Sequence, residues 1–183
     1  IIPLMLFSGI AGADTEIAII DSSNSVSTVS EAKIEENLQL GYGDKIELFN
    51  MDCKGLTFVF GGTIKKKSKA GHRQYRKKIL AGLKQAIKTL PSISDVKCSP
   101  LIKSILTLGE EIQLRKQYEK LHIVIASDFL NNSGRPRIKT SLFKGVTVTA
   151  IFTSAKGLDF KKRKKAIDLA KTIFRQSHLN IIF

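Results

Sequence analysis

The chain has no tryptophan, two cysteines and three histidines in 183 residues. So few cysteines exclude a disulfide-built scaffold, and 13 glycines exclude a collagen-like repeat. No internal apolar run reaches the roughly 18 residues of a membrane span. The chain lacks the phosphate-loop and dinucleotide-binding glycine patterns. It also lacks a nucleophile elbow followed by the other members of a hydrolase triad. Aromatic residues make up 7% of the sequence, too few to support a base-stacking platform. Acid is scarce as well. Thirty Lys and Arg against 16 Asp and Glu give a net charge of +14, which favours acidic partners: nucleic acid, anionic lipid or acidic protein.

At 43% hydrophobic and 25% charged residues, the composition is that of a globular domain with one sizeable core. Residues 14–183 are expected to form that domain. Before them, Ile1 to Ile10 are almost wholly apolar, and Ala11-Gly12-Ala13 matches the small-residue pattern of signal-peptidase cleavage. Residues 1–13 are therefore expected to be a secretory-signal remnant, with the mature chain periplasmic or secreted. An additional N-terminal strand is the alternative. In an oxidising compartment Cys53 and Cys98 could form one bridge; two buried free thiols are an equal reading. Neither has zinc-site spacing.

Glu16 to Asp21 (EIAIID) and Leu121 to Ala126 (LHIVIA) are short apolar runs, each followed closely by an acid. Such runs suit strands buried on both faces of a parallel sheet. Val146 to Phe152 is a third core strand, and Leu179 to Phe183 a last one. Lys45–Met51 and Leu56–Phe60 form a hairpin that Gly61-Gly62 is expected to end. Helices are expected from about Thr28 or Ser30 to Leu40, His72 to Leu90, Ser99-Pro100 to about Lys120, and Phe160 to Gln176. The order is β-α-β-β-α-α-β-β-α-β. It predicts a Rossmann-like three-layer α/β sandwich, its central sheet mostly parallel with one antiparallel edge strand.

In such sheets ligands gather beyond the carboxyl ends of the strands, where the topology reverses. Asp21 and Asp128 stand at two such ends. Asp21, Ser23 and Ser25 are spaced i, i+2, i+4, which in an extended loop brings three oxygen-bearing side chains to one side. Carboxylate plus hydroxyl is a ligand set for a hard cation such as Mg²⁺, with Mn²⁺ or Ca²⁺ as equivalents. The bland alternative is a helix cap with turn-forming serines.

Asp21-Ser22-Ser23-Asn24-Ser25 after a hydrophobic strand resembles the D-x-S-x-S motif of von Willebrand factor A-type domains. That motif forms their metal-ion-dependent adhesion site. The order of elements over residues 16–183 is similar too. Ser99-Pro100-Leu101 resembles the family's T-P-L-like element, and Leu121 to Asp128 resembles its strand ending in T-D. The resemblance implies a site of Asp21, Ser23, Ser25, Ser99 and Asp128. Its serines would ligate directly, and its aspartates largely through water. One position would remain for an acidic residue of a protein partner. The chain departs from the pattern with Ser99 for Thr and with Ser127-Asp128-Phe129 for Thr-Asp-Gly. Thr63 competes for the role of Ser99 but precedes the long helix. The stretch after Asp128 is short, so the family's helix there is expected to be missing or reduced to a turn. The implied function is binding without catalysis. A metal-dependent hydrolase would gather more acids than Asp21 and Asp128.

Two segments hold much of the positive charge. Lys65, Lys66, Lys67, Lys69, Arg73, Arg76, Lys77 and Lys78 form the first, and Lys161, Lys162, Arg163, Lys164 and Lys165 the second. They are either solvated helix faces or tracks for phosphates. The second reading gives an alternative function, a nucleic-acid-binding accessory protein, for example in DNA transfer. His122, inside a core strand, is expected to be a hydrogen-bonded structural residue.

Overall fold

The computed structural model describes residues 15–22, 31–41, 43–52, 54–64, 69–90, 101–115, 120–130, 140–153 and 159–183. The presumed signal remnant, Cys53 and Cys98 lie outside these. Six strands form one sheet: β1 (Thr15–Asp21), β2 (Lys45–Asp52), β3 (Gly55–Thr63), β4 (Leu121–Ser127), β5 (Thr147–Phe152) and β6 (His178–Ile182). Their spatial order is β3-β2-β1-β4-β5-β6. All neighbours are parallel except β2 and β3. Every residue of β1 and β4 is buried, which is why their sequences run apolar without alternation.

The helices α1 (Glu31–Asn37), α2 (Lys69–Lys88), α3 (Leu101–Arg115) and α4 (Phe160–Ile173) complete the three layers. Ala18, Ile20, Val124 and Ala126 face one core, with Ile34 of α1 and Leu83 of α2. Ile17, Ile19, Ile123 and Ile125 face the other, with Ile105 of α3 and Ala170 of α4. Between β4 and β5 the described residues hold a 3-10 turn, Thr140–Phe143; residues 131–139, where a reduced helix is expected, lie outside the described residues.

Several boundaries differ from the sequence expectation; α1 stops at Asn37, short of Leu40, and α4 at Ile173, short of Gln176. Gly61 and Gly62 do not end the hairpin but continue β3 to Thr63. Their role is close approach. A Cβ at Gly62 would stand 2.5 Å from Ile79 Cδ1 of α2, and one at Gly82 of α2 would stand 2.8 Å from the ring of Phe60. Glycine on both surfaces lets α2 settle on the edge strand. Helix α2 begins at Lys69, inside what reads as a basic loop. Helix α3 is described from Leu101 to Arg115; its expected continuation to about Lys120 falls on residues 116–119, which lie outside the described residues. The Arg115 guanidinium meets Glu47 of β2 in two hydrogen bonds of 2.8 and 3.1 Å. Glu47 lies in the amino half of β2. Fifteen residues of helix span about 22 Å, so the first turn of α3 reaches the opposite, carboxyl rim of the sheet.

Near the amino rim, Glu16, His122 and Thr149 form a buried chain across three strands. His122 Nδ1 is 2.8 Å from Glu16 Oε2, and Nε2 is 2.9 Å from Thr149 Oγ1. The structure thus bears out the structural reading of His122. An imidazole with one N–H can donate to the carboxylate and accept from the hydroxyl, satisfying both its nitrogens.

His122→Ala should strip the Glu16 carboxyl of this partner and cost more than about 3 kcal/mol, whereas Thr149→Val should cost about 1 kcal/mol. Urea melts that rank the two equally would contradict this account. Gly109 of α3 lies against the 3-10 turn, where a Cβ would stand 2.8 Å from Leu142 Cβ. Alanine gains about 1 kcal/mol in helix propensity, but overpacking costs about 1–3 kcal/mol. Gly109→Ala should therefore lower the urea midpoint.

Candidate functional site at the carboxyl rim

The sheet reverses its winding between β1 and β4, and both strands end in buried acid. Ile20 pairs with Ala126, so the next residues, Asp21 and Ser127, stand side by side. The Ser127 hydroxyl donates to Asp21 Oδ2 at 2.7 Å and accepts from the Phe129 N–H at 3.0 Å. One residue on, Asp128 Oδ1 accepts from the Leu130 N–H at 2.8 Å, a local turn that fixes the carboxylate. Asp21 and Asp128 are each 1% exposed.

Phe129 occupies the position where the A-type pattern has glycine. Its φ is 53°, in the left-handed region. For a bulky residue this costs roughly 1–2 kcal/mol. The ring is fully buried and lies 4.7 Å from that of Phe152. Burying a Phe side chain returns about 1.5–3 kcal/mol, and the ring pair about 0.5–1.5 more. Packing therefore outweighs backbone strain, and the chain keeps the glycine-like turn without glycine.

Of the expected metal set, Asp21 ends β1 and Asp128 follows the neighbouring strand β4, both buried. Ser23, Ser25 and Ser99 lie outside the described residues. Among the described residues no three of His, Cys, Asp and Glu gather at one point; the expected set has only two such residues, its other members being hydroxyls. Two buried carboxylates on rigid strands are hard oxygen donors and fit a divalent cation. Ser127 is the residue that sequence reasoning did not assign. Its signal was its place in the T-D-like dipeptide.

The basic segments do not form one surface. Lys65, Lys66 and Lys67 are outside the described residues. Lys69 opens α2, which carries exposed Arg73, Arg76, Lys77 and Lys78 over one face of the sheet. Lys161, Lys162, Arg163, Lys164 and Lys165 are exposed on α4, over the other face.

Ser127→Ala leaves the Phe129 N–H without its acceptor and Asp21 without this donor. Its stability should fall by about 1–3 kcal/mol, while Ser127→Thr keeps the hydroxyl and should stay near wild type. Chemical denaturation of the pair checks this.

No protein-family model matches the chain, and no curated protein does. Solved structures do. An aerotolerance-related membrane protein from Bacteroides fragilis superposes with a TM-score of 0.52 at 13% identity, over 92% of this chain and 90% of that one. BatB, a conserved hypothetical protein from Bacteroides thetaiotaomicron, gives 0.50 at 12% identity, over 92% and 88%. The manganese-loaded TRAP protein of Plasmodium vivax gives 0.43 at 12% identity, over 83% and 61%, too distant to argue from. Among the described residues no helix is long and apolar enough to cross a membrane. Strand order, the single antiparallel edge and these likenesses together give the chain a von Willebrand factor A-type fold.

Proposed function

We propose that the chain is a protein-binding module, not an enzyme, which engages an acidic residue of its partner through a divalent cation at the carboxyl rim. The observation that carries this reading is the pair of buried acids Asp21 and Asp128, one ending β1 and the other following the adjacent parallel strand β4, at the reversal of the sheet. Buried carboxylates are costly to keep charged, and a cation beside them offsets that cost. Ser23, Ser25 and Ser99 would complete the ligand set. A bound Mg²⁺, Mn²⁺ or Ca²⁺ would supply positive charge and a coordination position for an incoming carboxylate. Asp21 is oriented by Ser127, and Asp128 by the Leu130 amide. Neither must reorganise to accept a ligand, which lowers the cost of binding. The apolar-then-A-x-A start of the chain supports a periplasmic or secreted setting, where a divalent-dependent adhesion contact would operate.

Mg²⁺ at about 100 times its Kd should stabilise the protein by about 2.7 kcal/mol, raising Tm by about 5–10 °C for a chain of this size. Asp21→Ala and Asp128→Ala should melt at temperatures that Mg²⁺ does not move. A peptide-display library captured in Mg²⁺ and eluted with EDTA should be enriched in Asp and Glu. A wild-type Tm indifferent to Mg²⁺ and Mn²⁺, or capture that survives EDTA, would overturn the reading.

A further inference from the structure

Helix α2 is the most one-sidedly charged element of the described chain. Its 20 residues include Lys69, Arg73, Arg76, Lys77, Lys78, Lys84 and Lys88 and no acid. Ile79, Leu83 and Ile87 of α2 join the core between α2 and the sheet. Beside that apolar stripe run Arg73, Arg76, Lys77, Leu80 and Lys84, spaced i, i+3, i+4, i+7 and i+11, which is one face of a helix. They line a groove of about 360 Å³ whose other bank includes Glu35 of α1. Glu35 pairs with Lys84 at 2.7 Å, so it fixes one cation of the row.

This placement costs the helix stability. Arg73, Arg76 and Lys77 are like charges at three- and four-residue spacing, and they repel one another. An anion in the groove relieves this penalty. The α4 cations differ: five consecutive residues, Lys161 to Lys165, spread around the helix and share no single face.

We propose that the groove between α1 and α2 binds the phosphodiester backbone of a single nucleic-acid strand. The cation row extends about 16 Å, enough for several consecutive phosphates. A nucleic-acid strand carries one charge per nucleotide without interruption, whereas an acidic peptide seldom offers four carboxylates in a row. A lipid bilayer fits less well. The groove is concave, and the large exposed apolar side chains among the described residues, Phe58, Leu114, Phe160 and Phe183, are all off α2. The contact reads backbone and not base, because the row holds only cations and a short apolar floor.

The groove is also remote from the carboxyl rim. Strand β3 is antiparallel and ends at Thr63 opposite Lys45, which pairs with Thr15. Helix α2 therefore starts from the amino rim. Occupancy of one site leaves the other open.

The test uses a fluorescein-labelled 20-nucleotide oligothymidylate in fluorescence anisotropy, between about 50 and 200 mM NaCl. Arg73, Arg76 and Lys77 are exposed, so Arg73→Gln/Arg76→Gln/Lys77→Gln should fold and keep the Mg²⁺-dependent Tm shift. Its affinity should fall at least about tenfold, and its log-log salt slope should become shallower by about 2, three contacts at about 0.7 each. Lys161→Gln/Lys162→Gln/Lys164→Gln on α4 should change affinity less than about threefold. Equal losses in the two triple variants would overturn the assignment by showing that only total charge matters. So would wild-type binding by the α2 variant. Binding to phosphatidylserine vesicles without binding to the oligonucleotide, or displacement of the oligonucleotide by oligoglutamate at equal charge, would overturn the choice of nucleic acid.

Discussion

The parallel pairing of β1 with β4 is the constraint on which the rest of the molecule depends. It places two strands, distant in sequence, at the centre of the sheet, and their register sets Asp21 beside Ser127. Both strands are buried on both faces, so neither can slip by one residue without turning apolar side chains and terminal acids to the wrong side. The rim therefore inherits its geometry from the core. A one-residue error in pairing would part Asp21 from Ser127 and leave its buried carboxylate without that donor, at a cost of about 1–3 kcal/mol or more.

The same logic explains what could be read from the sequence. The central strands were legible because a parallel, doubly covered strand leaves an uninterrupted apolar run, as in EIAIID and LHIVIA. Asp21 and Asp128 were legible because each follows such a run. The helices were legible from their apolar spacing, and the antiparallel edge from the short turn between β2 and β3. His122 was legible as structural because it interrupts an otherwise apolar strand, where a polar group must find partners.

Other features were invisible for physical reasons. Gly61-Gly62 carries the same composition as a turn, and only the nearness of Ile79 to Gly62 shows that it serves the contact between β3 and α2. The role of Arg115 was not legible because it depends on Glu47, 68 positions earlier in the chain. Helical periodicity could not separate the α2 cations that border a groove from those that face water, since the second bank belongs to α1. The left-handed backbone of Phe129 is not legible from the residue itself, because a phenylalanine does not announce it and the packing of Phe152 compensates for it.

Phe129 links the rim to the interior. Its backbone N–H holds the Ser127 hydroxyl that in turn touches Asp21, while its ring belongs to the stack with Phe152. The conformation that aligns two acids is thus paid for by contacts among hydrocarbons several ångströms beneath them. Solvents or temperatures that loosen aromatic packing under β5 will disturb the alignment of these acids before the sheet itself gives way.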